Sequence, residues 1–510
     1  MKKLKSKTVS SIIMLLTILI SNHSLSQGYN HNWLLGYDYS SNYIKARMTF
    51  DSTSYNIFAE QRKIPFQSFT QANISDENGT LLMSSNGAWV ANSTGDTMRY
   101  GSFLGYDPFI NTYHDGLPIP CGNVFLPYPG DSTKYILFRD SLVFNGLYYP
   151  AYAVNYSIID MTKDSGFGEV DSLQKFNVAF QDTLNWGLAA CRHANGRDWW
   201  LVSIKDSSDI AIKMLFTDVG LASVITQKLN VPLAWGNGTQ ITFSPDGTKF
   251  AYSTYSPCCP DSSYILTFDF DRCSGMFTTH NPVFVNRGYL WGLAFSPNSQ
   301  FVYACTTDKV YQLDLNTYNL DTIATYDGFN SPYTWCCPTT FFNFYLAANG
   351  KIYITSGNGV QHIHEMNYPD SAGVACDLQQ HIILTPMGAI HRGSVPNHPN
   401  YYLGCDTTQT SCPCLTTGIN EINQHDFKFK LFPNPVTNNI LNISYFLPQN
   451  KPGLLEIYDV TGKVAFKYIL PQWSNMQSLK LPKLANGIYN CMLTSDNKRV
   501  SKKISIINLN

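Results

Sequence analysis

Four tryptophans recur at one place in the sequence. Trp186-Gly187, Trp235-Gly236 and Trp291-Gly292 each stand just before an apolar, strand-like run, and Trp335 holds a similar place before FFNFYLA. A Trp ring offers a large apolar face and an N–H donor, which suits stacking on a sugar or gripping a peptide. Trp186, Trp235, Trp291 and Trp335 are therefore the candidate ligand-binding residues. The alternative is that they are wedges packed between repeated units. Other residues with chemical potential read more plainly. His362 and His364 stand two apart in VQHIHEM, which places them on one face of a strand with Glu365 on the other. The spacing of a four-ligand set is missing, so they read as ordinary strand histidines and no metal site is expected. Asp269-Phe270-Asp271-Arg272 and Asp314-Leu315-Asn316 lack the alternating carboxylates and terminal Glu of a calcium loop, and read as turns. His193, just before Asn195-Gly196, reads as a brace for that turn. The chain has no G-x-S-x-G, H-E-x-x-H or G-x-x-x-x-G-K-[ST] motif. No catalytic residue and no cofactor are expected from it.

The elements that must position these residues repeat loosely. Residues 238–284 read GTQITFSPDGTKFAYSTY, then SYILTFDF, then GMFTTHNPVF; 291–326 and 341–366 follow the same order. Each unit has an apolar strand, a tight turn (Pro245-Asp246-Gly247, Pro297-Asn298-Ser299, Ala348-Asn349-Gly350) and a second strand. Asp-Gly and Asn-Gly between apolar runs are strong hairpin signals. Residues 73–98, 122–160 and 187–225 fit the same template, at spacings of about 45–60 residues, near the period of a four-stranded propeller blade. Residues 33–60 and 378–403 are expected to pair as a seventh blade that joins the ends, since closure removes exposed sheet edges. The predicted fold is all-β: a β-propeller of about seven blades, then a small C-terminal β-sandwich. One or two β-sandwiches in place of the propeller are the competing architecture.

Composition fits export. Charged residues make up 14% of the 510, about half the ordinary share, and aromatics another 14%. Lys2, Lys3, Lys5 and Lys7, the apolar run Val9–Ile20 and Ser24-Leu25-Ser26 predict a signal peptide over 1–26. No later run is long and apolar enough to span a membrane. Residues 27–418 carry a formal charge of −11 and residues 419–510 one of +6, which divides the chain into an acidic body and a basic tail. An acidic body repels phosphates, so nucleic acid is excluded as a partner. All 13 cysteines follow the signal, and their odd number leaves at least one thiol unpaired. Cys491, in an apolar run of the tail far from the others, is the candidate. The expected divisions are the body at 27–404, a linker at 405–418 and the tail at 419–510. The linker has Cys405, Cys412 and Cys414 in a Cys-x₆-Cys-Pro-Cys spacing; with no His beside it in an exported chain, it reads as disulfide rather than metal.

The tail holds six short strand-like runs in about ninety residues. Leu431-Phe432-Pro433-Asn434-Pro435 opens it, and LNISYF follows. Ile457–Lys463, with Gly462 and Lys463, makes a middle hairpin; Leu484-Ala485-Asn486-Gly487-Ile488-Tyr489 leads into the penultimate strand; Lys502-Lys503-Ile504-Ser505-Ile506 closes the chain. In that order these features resemble the type A C-terminal sorting domain of type IX secretion cargo in Bacteroidetes-type bacteria. The resemblance implies passage through the outer membrane by the type IX machinery, usually with removal of the tail and attachment at the surface, or release. Its motif residues here are Phe432, Pro433, Asn434, Pro435, Gly462, Lys463, Gly487, Tyr489 and Lys503. The body, less specifically, resembles WD/YVTN-like β-propeller repeat proteins, on Tyr156–Met161, Gly166–Val170, Arg192–Trp200 and Phe243–Gly247; that implies an architecture and no activity.

The expected function is a non-catalytic binding protein, secreted or displayed at the cell surface, with an extracellular glycan or protein as ligand. The rivals are a propeller enzyme, a lyase or hydrolase acting on glycan or peptide, and a structural surface-layer component.

Overall fold

The computed structural model describes residues 28–508 apart from 38–43, 51–53, 67–68, 106–115, 145–148, 232–239, 256–261, 287, 333–336, 394, 416–428, 438, 446, 448–451, 471–475 and 496–497. The signal peptide expected at 1–26 lies outside the described residues. Apart from two 3-10 turns, the regular structure is β throughout.

The body forms seven antiparallel sheets of three to five strands among the described residues, in chain order. Their first strands stand side by side: Asn32–Leu35 against Ala72–Ser75, Ala72–Ser75 against Asn123–Pro127, and Ala189–Arg192, Thr242–Phe243, Gly292–Phe295 and Phe344–Leu346 in succession. Leu188 N–H donates to the Cys121 carbonyl at 3.0 Å and joins the third and fourth sheets. The last sheet meets the first through Trp33, whose ring packs edge-on to Tyr345 and Tyr353. This closed ring of meandering sheets is a β-propeller.

Burial explains the sequence pattern. Inner strands such as Trp199–Ile204 and Phe301–Cys305 are buried at every position, because each lies between two neighbouring sheets. Their sequences are accordingly near-continuous apolar runs. The outer strand Gly220–Lys228 has one face in water, and its exposure alternates. The hairpins form where Asp and Asn read as turn residues. Asp246 Oδ1 accepts from Thr248 N–H and Oγ1, and Asn298 Oδ1 from Gln300 N–H.

The two ends of the body meet, though not by the pairing expected. Residues 33–60 make a sheet of their own, and Leu378–Leu384 becomes the fourth strand of the sheet that starts at Phe344. Leu378 follows His362–Met366 after an eleven-residue connection that includes the 3-10 turn Gly373–Cys376, and it pairs back antiparallel on that strand. The strand Asn32–Leu35 runs opposite to Ala72–Ser75: Asn32 bonds Ser75 while Leu34 bonds Asn73. Residues 395–403 instead descend the central channel beside it. Asn397 Nδ2 donates to Leu188 O, His398 Nε2 bonds Asn73 O, Asn400 Nδ2 donates to Pro245 O and the Tyr401 hydroxyl donates to Phe125 O. This thread touches four sheets through side chains, and the Tyr402 hydroxyl accepts from Tyr29 N–H at 2.7 Å.

Past the thread, residues 404–415 stay docked on the face of the hairpin turns. Arg272 Nη2 donates to Gly404 O, Asp406 N–H to Ala194 O and Leu415 N–H to Asn195 O. Gly196, at φ +77°, permits the approach, since a Cβ there would lie 2.6 Å from Cys405 N. Cys273–Cys412 and Cys405–Cys414 are disulfides. Cys121, Cys191, Cys305 and Cys376 are free and buried, as is Cys491 in the tail. The body cysteines are thus only partly paired; these four fill core space as small apolar side chains.

The tail is a sandwich of a three-stranded and a four-stranded sheet. Leu441 and Ile443 from one face Leu455, Ile457, Cys491, Leu493 and Ile504 from the other, in one buried core.

Candidate functional site

The segments that enter the first strands of the body sheets gather at the rim opposite the docked segment. Trp291 lies there, half-buried, its ring 5.4 Å from Phe342 and tilted by 31°. Phe342 is buried and packs in turn on Phe69, at 4.8 Å and 31°. The run Trp291–Phe342–Phe69 draws on the entry segments of three different sheets. Arg392 and Tyr37 extend it, with the guanidinium 5.1 Å from the Phe69 centroid and 5.5 Å from that of Tyr37. Of the other tryptophans, Trp186 is half-buried and donates its Nε1–H to the Tyr149 carbonyl at 2.8 Å, against the core of the second to fourth sheets. Trp235 and Trp335 lie outside the described residues. Phe69, Phe342, Tyr37 and Arg392 were not signalled by the sequence. Phe342 stands one residue into the run after Trp335, and only the recurrence of bulky aromatics before first strands hinted at it.

The rim side of the channel also holds a buried acid. Asp140 Oδ2 accepts from Gly187 N–H at 3.0 Å, while Oδ1 has no partner. Burial pushes this carboxyl up to about 7. The opposite end of the channel contains a cavity of about 150 Å³, lined by Trp33, Ala190, Gln240, Pro245, Phe344 and Tyr402 among others.

The remaining candidates are held in structural roles. His364 is fully buried, accepts from His381 N–H through Nδ1, and is pushed down to about 3 by burial. His362 Nδ1 bonds Ser331 Oγ, and Glu365 on the other face pairs with Lys351. His193 accepts from Asn195 N–H and bonds Cys273 O, bracing two turns at once. Asp271 and Asp314 cap their own turns by accepting from Cys273 N–H and Asn316 N–H. Among the described residues no group of three or more His, Cys, Asp or Glu could hold a metal ion.

In the tail, the motif residues from its two ends come together. Asn434 Oδ1 accepts from Ser505 N–H and its Nδ2 donates to Lys503 O, while Val436 N–H donates to Ser505 O. The Phe432-Pro433-Asn434-Pro435 segment thereby clips the closing strand. Gly462, at φ +81°, and Lys463 complete a turn whose two amides at Thr461 and Lys463 donate to Asp459 Oδ1. Tyr489, buried, ties its hydroxyl to Ala485 O, beside Gly487. Residues 430–507 match the family model of the secretion system C-terminal sorting domain. The sorting domain directs export through the type IX secretion machinery to the cell surface or beyond it. Among the described residues, no helix is long and apolar enough to cross a membrane.

No curated protein matches the chain in sequence. Among solved structures it is similar to a proposed 6-phosphogluconolactonase from Bacteroides uniformis, at 12% identity and a TM-score of 0.41, covering 71% of this chain and 98% of that one. It is also similar to a functionally unknown protein from Desulfotomaculum acetoxidans (12%, 0.38, 73% and 99%) and to the Dos1 propeller (13%, 0.34, 65% and 79%). These scores are too low to carry fold or function, and the propeller rests on the ring of sheets itself.

Proposed function

We propose that the body is a non-catalytic binding protein, delivered to the cell surface or released by its sorting domain, and that the aromatic rim is its ligand site. The observation that carries this reading is the run Trp291–Phe342–Phe69, where side chains from three sheets form one platform. Trp291, half-buried over the buried Phe342, supplies stacking area with few torsions to freeze on binding. The reading extends to Trp235 and Trp335 on their place in the sequence alone, since both lie outside the described residues. Trp186 belongs to it by position, although its indole N–H is already satisfied. The lactonase name of a similar structure is not carried over, and the likeness behind it gives no reason to prefer an enzyme. The working unit of this reading is 27–415, with the signal peptide at 1–26 and the sorting domain, within 419–510, as export addresses. An array of soluble glycans and peptides tests it. Native chain should capture at least one class of ligand that Trp291→Ala captures several-fold less, and a native chain that captures none would refute it.

A further inference from the structure

Arg392 stands at the rim, half-buried among aromatic rings. Arg392 Nε donates to Gly357 O at 3.0 Å and Nη1 to the Tyr37 hydroxyl at 3.3 Å. Its plane lies within cation–π reach of both Tyr37 and Phe69. No carboxylate pairs with it among the described residues, whereas Arg47, Arg62, Arg99 and Arg197 each have one. The backbone is shaped around it. Phe69 holds a φ of +65°, a costly conformation for a bulky residue, while its N–H donates to Arg392 O at 3.0 Å. Gly393, at φ +60°, leaves room for the rings: a Cβ there would lie 2.7 Å from Phe69 and 3.1 Å from Phe342. Strain of this kind is kept where the position of a side chain matters, and here it places the Phe69 ring between Arg392 and Phe342.

Resting on the reading of the rim as a ligand site, we propose that it takes a carboxylate-bearing saccharide of the uronic acid class. The two halves of the site fit the two halves of such a ligand. A guanidinium presents paired donors that match a carboxylate, and stacking between rings fixes its plane in advance. Trp291, half-buried and packed on Phe342, offers an apolar ring to the C–H face of a pyranose. An inorganic anion would use the guanidinium and leave the rings idle; a neutral sugar would use the rings and leave the cation idle. The net charge of −11 on residues 27–418 disfavours long polyanions at a distance, so the ligand is a short acidic oligosaccharide.

Calorimetric titration of the full secreted chain with tri-galacturonate, the neutral galactose trisaccharide, tri-glutamate and inorganic phosphate tests this. The acidic sugar should bind at least tenfold more tightly than the neutral one and than either control. Arg392→Gln should reduce that preference to below threefold. Arg392→Lys, which keeps the charge without the fork, should lose most of the preference too. Trp291→Ala should weaken both sugars by a similar factor. Circular-dichroism melts within about 2 °C of the native chain show that the variants are folded; if Arg392→Gln is not, the Lys variant and the native-chain preference decide. Equal affinity of the native chain for acidic and neutral sugar overturns the inference and leaves the binding reading standing. Tighter binding of tri-glutamate or phosphate, or an acid preference that survives in both Arg392 variants, also overturns it. Binding of neither sugar overturns it as well, and the array then decides the broader reading alone.

Discussion

At the face of the hairpin turns, the body is overlaid by its own chain: a thread runs through the channel, a docked segment covers two turns and a disulfide ties that segment to Cys273. At the opposite rim, Trp291, Phe69 and an arginine with no carboxylate partner among the described residues are left half-buried. The sheets are alike in both directions, so the difference lies in what the C-terminal part of the body does after the last strand. It fixes one face and leads from there in sequence to the sorting domain, while the other face is the one proposed for a ligand. Stability and recognition are then separable, and substitutions on the two sides should have different signatures.

The largest effect is expected from the thread. Tyr401 is buried among Tyr29, Trp199 and His398 and donates to Phe125 O. Tyr401→Ala should cost about 3–5 kcal/mol of unfolding free energy, the usual range for a core aromatic truncation, measured by urea denaturation. A cost under about 1 kcal/mol would show that the channel segment is not part of the core. The disulfide comes next. Cys273 and Cys412 are 139 residues apart, and constraining so long a loop contributes roughly 2–5 kcal/mol. Cys412→Ser should lose that amount, and reduction of the native chain, which opens Cys405–Cys414 as well, should lower it at least as far. Identical stability of native and variant chains under oxidising conditions would remove the staple from the account.

A pH dependence separates the sides further. Burial pushes the Asp140 carboxyl to about 7, above its value in the unfolded chain, so the folded body takes up a proton between roughly pH 4 and 7. The stability this gives is fully present in acid and is lost as pH rises through 7. Asp140→Asn should therefore flatten the stability profile over that window and stabilise the body at pH 8 by up to a few kcal/mol. An unchanged slope would mean that Asp140 is charged in the folded state. The smallest effect on stability is expected from Trp291→Ala. A half-exposed rim anchor should cost well under 1 kcal/mol of stability and about 1–3 kcal/mol of ligand affinity.

Much of this architecture was legible because it is local. The Pro245-Asp246-Gly247, Asn298 and Asn349-Gly350 turns carry their own hydrogen bonds, and continuous runs such as WWLVSI announce strands with two buried faces. The tail was legible for another reason: Asn434 and Ser505 are 71 residues apart but are bonded, so the opening and closing motifs are constrained together. The thread was not legible, because residues 395–403 bond through scattered side chains without period. The pairing expected for 378–403 failed because Leu378–Leu384 pairs with the strand before it in sequence and residues 395–403 became the thread. The four buried, unpaired body cysteines look no different in sequence from Cys273 or Cys405; burial decides, and burial is non-local. Arg392 and Phe69 lie more than 300 residues apart and meet only on closure of the ring.

The most direct test of two separable faces is a paired measurement on Trp291→Ala and Cys412→Ser, following both the thermal midpoint and binding of the ligand found for the native chain. A crossed result is expected: Trp291→Ala keeps its midpoint within about 2 °C and loses binding, whereas Cys412→Ser melts several degrees lower and binds as the native chain does below its transition. A Trp291→Ala chain that melts as early as Cys412→Ser while retaining native affinity would contradict it, and would make the rim tryptophan a wedge of the fold.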